Sequence, residues 1–65
     1  MTLFIEWPIE QDAEFRAAYK QVVGETIQDD PLQQDNMLVV GSSRATVAHM
    51  AVLQAQGFDV VFNEA

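Results

Sequence analysis

The 65-residue chain contains no cysteine, so the packing of its apolar side chains must stabilise the fold without disulfides. A chain of this length is near the lower limit for folding around a core of its own. Ordering it costs on the order of 100 kcal/mol of conformational entropy, so nearly every large apolar side chain has to be buried. Hydrophobic residues make up 49% of the sequence, which can meet that demand. We therefore expect one globular domain spanning residues 1–65.

Three short apolar segments have the pattern of β-strands. In Leu3–Trp7 every second residue is large and apolar, which indicates a strand with one face in the core. Pro8 ends this strand because it has no N–H to donate. Met37–Val40 is continuously apolar, as in a strand that is covered on both faces or central in a small sheet. Phe58–Phe62 alternates again and predicts a third strand.

Two segments predict helices. The first runs from Ile9 to Val23, ends at Gly24, and has an apolar face that repeats every three or four residues. The second runs from about Arg44 to Gln56, with a serine of the preceding Gly41–Ser43 turn as its N-cap. The members of the apolar face of the first helix are Phe15, Ala18, Tyr19 and Val22.

The segment Glu25–Asp35 predicts an acidic, partly helical excursion. Asp30 followed by Pro31 is typical of an N-cap and the first position of a short turn, which would extend to about Gln34. The complete order is then β-α-(α)-β-α-β. This order predicts a small two-layer α/β domain with a three-stranded sheet, in which the second and third strands are long enough apart for a right-handed parallel crossover. An antiparallel or mixed sheet is also open, because these loops could return a strand in the other direction.

The acidic residues are concentrated in the first part of the chain. The formal net charge is −7, and residues 1–35 contribute −6 of it. Such acidity argues against nucleic acid or an anionic membrane as a direct ligand, and it favours a basic protein surface. The stretch from Glu10 to Asp35 holds seven of the ten carboxylates, which we take as candidate partner-binding residues: Glu10, Asp12, Glu14, Glu25, Asp29, Asp30 and Asp35.

Some of these seven acids have a structural explanation. Glu10 and Asp12 fall in a first helical turn, where the helix dipole favours them, Asp12 can pair with Arg16, and Asp30 is a candidate cap. The remaining four gain nothing comparable, and like charges four residues apart on a helix cost stability. These four are Glu14, Glu25, Asp29 and Asp35.

Size and charge layout over the whole chain resemble those of small phage-encoded inhibitors, including anti-CRISPR proteins and other DNA mimics. The resemblance involves no motif and transfers no site residue. It implies a non-enzymatic inhibitor that occupies a basic, nucleic-acid-binding surface of a partner, for example a CRISPR effector, and so blocks DNA binding. It implies the host cytoplasm as the location if the protein is phage-encoded, and no cofactor.

Two other functions compete with this interpretation. The chain could be a small structural or assembly module whose acids only keep it soluble. It could also be a weak anion-binding α/β protein that uses the Gly41–Arg44 turn. Met50 and Leu53 lie opposite the alanine-rich side of the second helix, so they could contact a partner or be covered by the Glu25–Asp35 excursion.

The sequence offers no catalytic or metal-binding residues that we would name. His49 is the only histidine, and no carboxylate lies three or four residues from it to orient it as a base. A zinc site would need an unusual all-oxygen shell around that one histidine. We also expect no signal peptide and no membrane span, hence a cytoplasmic protein, and we favour a monomer.

Overall fold

The computed structural model describes residues 1–28 and 30–64, in which four strands and two α-helices follow one another. A single 3-10 turn, Ile9–Gln11, links the first strand to the first α-helix. The elements are β1 (Leu3–Pro8), α1 (Asp12–Val23), β2 (Leu32–Gln34), β3 (Met37–Ser42), α2 (Val47–Ala55) and β4 (Val61–Glu64).

The four strands form one sheet in the order β2-β3-β1-β4, and every neighbouring pair is antiparallel. A β-α-β-β-α-β chain with this strand order has the ferredoxin-like, or split β-α-β, topology. The chain is therefore a small α/β domain, as predicted. The prediction of a three-stranded sheet with parallel neighbours is wrong.

Two features explain the difference in topology. Residues Leu32–Gln34 pair with β3 through a tight turn at Asp35 and Asn36, so the predicted helical turn after Asp30 is instead a short edge strand. The strands on either side of α2 do run in the same direction, because both are antiparallel to β1. β1 lies between them, so the crossover passes over one strand and leaves no parallel pair in contact.

Both helices pack on the same face of the sheet and enclose the core. Trp7 of β1 stacks on Phe15 of α1 with ring centroids 4.7 Å apart, and Phe58 meets Phe15 edge-on at 5.5 Å. The predicted apolar face of α1 is confirmed, since Phe15 and Tyr19 are buried and Ala18 and Val22 pack against the core.

One helix end agrees with the prediction and another does not. Gly24 ends α1 with a φ of 91°, the left-handed conformation that glycine adopts at little cost, and this agrees with the prediction. The start of α2 does not agree, because its N-cap is Thr46 and not a serine. Ser42 Oγ accepts hydrogen bonds from the backbone N–H groups of Arg44 and Ala45. Because these residues form a turn, α2 begins only at Val47.

The apolar residues Val39 and Val40 of β3 lie on opposite faces of the sheet. Val40 is the buried member of β3, and Val39 is half-buried on the side away from the helices. A continuous apolar run does not show which alternate residues face the core, so the sequence could not decide this phase.

Within the described residues, neither helix is long and apolar enough to cross a lipid bilayer.

Candidate protein-binding surface

Five acidic residues gather at the end of the sheet where β1 stops and β3 and β4 begin. The backbone N–H of Ile9 donates to the carbonyl oxygen of Asn36 at 2.9 Å, which holds the end of β1 against the β2–β3 turn. The N–H of Asp59 donates to Gln11 Oε1 at 2.9 Å, which brings the segment before β4 to the same place. We call this group the acidic end, and its members are Glu10, Asp12, Glu14, Asp35 and Asp59.

Asp12 differs from the rest of the acidic end because its carboxylate is already engaged. Trp7 Nε1 donates to Asp12 Oδ1 at 2.8 Å, and Arg16 Nε donates to the same oxygen at 2.9 Å. The pair with Arg16 confirms the predicted i,i+4 contact. The bond to Trp7 satisfies the one polar atom of a fully buried indole, so the main role of Asp12 is structural.

Two other predicted acids lie toward the opposite end of the sheet. Glu25 follows the C-terminus of α1 and lines a cleft with Ser42 at the end of β3. Asp30 precedes β2 and lies away from the Asp35 turn, and Glu64 pairs with Leu3 at the start of β1. The six residues of β1 separate the two ends by about 17 Å. The predicted acidic surface is therefore divided, and Asp29 lies outside the described residues.

The cleft beside Glu25 contains a buried pair of hydroxyl groups. The side-chain oxygens of Tyr19 and Ser42 are 2.8 Å apart and hydrogen-bonded. Burial raises the pKa of the Tyr19 phenol above its ordinary value, the bond to Ser42 opposes this rise, and the carboxylate of Glu25 adds to it. The cleft has a volume of about 90 Å³, enough for a few water molecules.

Residues 41–43 of the Gly41–Arg44 turn line the same cleft, but the turn is poorly arranged for an anion. Ser42 Oγ accepts from the N–H of Arg44 at 3.2 Å and from the N–H of Ala45 at 3.0 Å. Both N–H groups are therefore already occupied, although an anion bound at this turn would need them as donors. The turn is also separated from the N-terminus of α2, and Glu25 places a negative charge beside it.

His49 has a structural partner on its own helix. Its Nδ1 accepts from the backbone N–H of Thr46 at 3.1 Å, and the N–H of His49 donates to Thr46 Oγ1 at 3.2 Å. This reciprocal arrangement is a capping box in which histidine takes the place of the usual Glu or Gln. The role of His49 is therefore to start α2.

Of the two alternatives for Met50 and Leu53, the burial of both side chains excludes an exposed contact with a partner. Both side chains are fully buried between α2 and the sheet. The opposite side of the helix faces solvent, where Val47 and Val52 are about half exposed. Alanines at positions 48, 51 and 55 complete this outer side. A helix that is apolar on every side gives no periodic signal, so the sequence could not choose which side is buried.

The face of the sheet away from the helices is an apolar surface that was not predicted from the sequence. One row of side chains crosses all four strands in register, and a glutamate lies within it: Leu32, Val39, Glu6 and Val61. Leu32 is 64% exposed, Val61 is 53% exposed, and Phe4 on the adjoining row is 42% exposed. We call this surface the open face.

Only part of the open face could have been found from the sequence. The alternation in Leu3–Trp7 assigns Phe4 and Glu6 to the face opposite the core, so an exposed aromatic residue beside a carboxylate was predictable. Leu32 could not be placed, because a three-residue strand with one apolar residue has no detectable period.

An apolar groove of about 360 Å³ lies near the start of α2. It separates the Leu3–Glu64 end of the sheet from the helix, and its walls are mostly aliphatic. The lining residues are Met1, Leu3, Ser43, Ala45, Thr46, Val47 and Glu64.

Across residues 1–28 and 30–64, no group of three or more histidine, cysteine, aspartate or glutamate side chains is arranged to hold a metal ion. Comparisons with protein-family models, with curated proteins and with solved structures found no match to this chain.

Proposed function

We propose that this chain is a non-enzymatic inhibitor or binding protein that uses acidic side chains to occupy a basic, nucleic-acid-binding surface of a partner protein. The partner would be a DNA- or RNA-binding protein or complex, such as a CRISPR effector, and binding would exclude its nucleic acid. The observation that supports this most is the acidic end. Exposed carboxylates from three separate segments converge there on one small scaffold, in a chain of net charge −7.

The physical basis is electrostatic competition. A groove rich in Lys and Arg binds nucleic acid partly through release of condensed counterions, and a rigid group of carboxylates can engage the same groove. Glu10, Glu14 and Asp35 are all exposed, and none of the described side-chain hydrogen bonds engages their carboxylates. They are therefore available to a partner, whereas Asp12 is held by Trp7 and Arg16.

Of the seven predicted acids, Glu10, Glu14 and Asp35 are the ones that we expect to contact the partner. Glu25 and Asp30 lie toward the other end of the sheet, so one flat contact with the acidic end does not include them. They add to long-range attraction, which acts over about one Debye length, roughly 8–10 Å at physiological salt.

Affinity capture followed by a competition assay tests the proposal. The tagged chain is incubated with host lysate at about 0.05 M and about 0.5 M salt, and retained proteins are identified by mass spectrometry. Each retained protein is then bound to a labelled DNA or RNA duplex, and the chain is titrated into the complex while fluorescence anisotropy is read.

We expect a nucleic-acid-binding protein that is retained at low salt, lost at high salt and stripped of its duplex by the chain. Retained proteins that keep their nucleic acid in the presence of saturating chain would contradict the proposal.

One observation favours the assembly module as a second candidate function. The outer side of α2 is aliphatic, and Val47 and Val52 are half exposed on it without a charged neighbour on that helix. Self-association through this side would be insensitive to salt. Sedimentation velocity over a wide concentration range distinguishes the two candidates, since the inhibitor is expected to stay monomeric.

A further inference from the structure

We propose that the open face is a docking surface for an extended protein segment that places an Arg or Lys side chain over Glu6 and aliphatic side chains on either side of it. None of the acidic end lies in this row of the sheet, so the inference goes beyond the proposed function and does not depend on it.

The geometry of the row defines the chemistry of the segment. Val39 and Val61 are the direct cross-strand neighbours of Glu6, one on each side. Directly opposite side chains in an antiparallel sheet have Cβ atoms about 4.5–5.5 Å apart, so the Glu6 carboxylate stands between two aliphatic walls. Leu32 extends the row beyond Val39 to the edge strand. The complement is a cation flanked by an apolar group on each side.

Phe4 supplies a flat aromatic wall next to this row. It pairs across the sheet with Gly41, where a Cβ atom would approach the Phe4 ring to 3.4 Å. The Phe4 ring therefore lies close to the β3 backbone at Gly41, and 42% of Phe4 stays exposed. An aromatic side chain and a carboxylate on one face together suit a guanidinium group, which stacks on rings and pairs with acids.

The open face combines exposed apolar side chains with one carboxylate among them. Contiguous exposed apolar side chains on a small domain mark interaction surfaces, and the polar groups of an interface belong mainly at its rim. Here the one charged residue of the row is at its middle, where a partner must supply a cation or leave a carboxylate desolvated.

Charge distinguishes between the ligands that could cover the open face. A second copy docked face to face about a twofold axis near the row centre would bring two Glu6 carboxylates together, in molecules that each have a net charge of −7. Single-stranded nucleic acid would place phosphates against the same carboxylate. A cationic protein segment meets neither penalty.

A peptide titration followed by methyl NMR tests the proposal. The probe is the extended peptide Thr-Val-Thr-Arg-Thr-Val-Thr, which presents Val, Arg and Val on one side of a strand. The control is Val-Thr-Thr-Arg-Thr-Thr-Val, which has the same composition and charge but places Arg and Val on opposite sides. Both are added, up to about 1 mM, to chain labelled at its Leu, Ile and Val methyl groups.

We expect the probe, and not the control, to shift the methyl signals of Leu32, Val39 and Val61 while the buried Ile5 and Leu53 signals stay in place. Glu6→Gln is expected to weaken probe binding about three- to fivefold. Glu6→Lys is expected to reverse the preference toward a probe in which Arg is replaced by Glu. The buried methyl signals report whether each variant is folded.

Several outcomes would overturn the proposal. These are equal shifts with probe and control, no open-face shift with the probe, or probe binding that Glu6→Gln leaves unchanged. Concentration-dependent shifts of the same methyl groups without peptide would identify a second copy as the occupant, and shifts with oligouridine would identify nucleic acid. If neutralising Glu10, Glu14 and Asp35 abolished probe binding, the attraction would belong to the acidic end. If the probe still bound to that variant, the open face would bind it independently of the acidic end.

Discussion

At the scale of single residues, several polar side chains that could have been assigned to a site serve the fold instead. Asp12 holds the Trp7 indole, Ser42 organises the turn before α2, and His49 caps that helix. Each bond satisfies a polar group that would otherwise be costly to leave without a partner. These three side chains are therefore engaged in the fold, although Asp12 lies within the acidic end.

The Trp7–Asp12–Arg16 contact predicts unequal effects of two substitutions. Asp12→Ala leaves the indole N–H of a buried Trp7 without its acceptor, which we expect to lower the free energy of unfolding by about 1–3 kcal/mol. Arg16→Ala removes only a partly exposed ion pair, expected to be worth about 0.3–0.5 kcal/mol. Urea unfolding monitored by Trp fluorescence gives both values. A larger loss for Arg16→Ala would contradict this role of Asp12.

The buried Tyr19 phenol predicts a loss of stability at alkaline pH. Burial raises its pKa in the folded chain above the unfolded value of 10.0, so its contribution is fully present below pH 10.0. Above pH 10.0 the unfolded chain binds fewer protons than the folded chain, and stability falls until the pH passes the folded pKa. Urea unfolding on both sides of pH 10.0 is expected to show this fall.

Tyr19→Phe is the control for this prediction. It loses the hydrogen bond to Ser42 and is expected to be about 1 kcal/mol less stable at neutral pH. It has no phenol to ionise, so the part of the alkaline fall that depends on Tyr19 disappears. An equally steep fall in Tyr19→Phe would assign the pH dependence to another group.

At the scale of elements, α2 is where sequence and structure differ most. Its residues are apolar on every side, and the structure buries Met50 and Leu53 while leaving Val47 and Val52 half exposed. The N-cap at Thr46 and the link through Phe58, whose N–H donates to the Leu53 carbonyl oxygen at 3.3 Å, set the position of this short helix.

Paired truncations on α2 test this orientation. Met50→Ala removes a fully buried side chain and is expected to cost about 2–5 kcal/mol, enough to unfold much of so small a domain. Val52→Ala on the outer side is expected to change stability by no more than about 0.5 kcal/mol. Thermal unfolding by circular dichroism compares them, and similar midpoints for the two variants would mean that α2 is rotated.

Elements with a regular period were predictable, and those that depend on distant partners were not. The alternation of β1, the apolar face of α1 and the glycine that ends it are local signals, and the structure has all three. Strand β2 forms because Leu32–Gln34 pairs with β3, and no local sequence pattern predicts it. Four of the five members of the acidic end were among the predicted acids, and Asp59 was not. The division of the predicted acids between two ends of the sheet was not predictable, since it depends on strand order.

At the scale of the whole molecule, two surfaces of different chemistry adjoin. The paired residues Pro8 and Met37 lie where the open face meets the acidic end, in a molecule measuring 26 × 24 × 18 Å. A partner that lies across this boundary would meet a carboxylate within apolar walls on one side and several exposed carboxylates on the other. Long-range attraction would bring a basic partner near, and the open face would determine its register.

The proposed function requires that position on the scaffold, and not total charge, make the acidic end a binding surface. Two variants with the same net charge of −4, three units above the native −7, separate position from charge. The acidic-end variant combines Glu10→Gln, Glu14→Gln and Asp35→Asn. Asparagine is chosen at position 35 because it tolerates the left-handed φ of 54° found there. The opposite-end variant combines Glu25→Gln, Asp30→Asn and Glu64→Gln.

The measurement is the affinity of the captured partner for the native chain and both variants, by isothermal titration calorimetry at one salt concentration. We expect the acidic-end variant to bind about tenfold or more weakly, since three interfacial charges at up to about 1 kcal/mol each are removed. The opposite-end variant is expected to stay within about threefold of the native chain. Equal losses in the two variants would show that only total charge matters, and unchanged affinity in the acidic-end variant would show that the acidic end is not the binding surface.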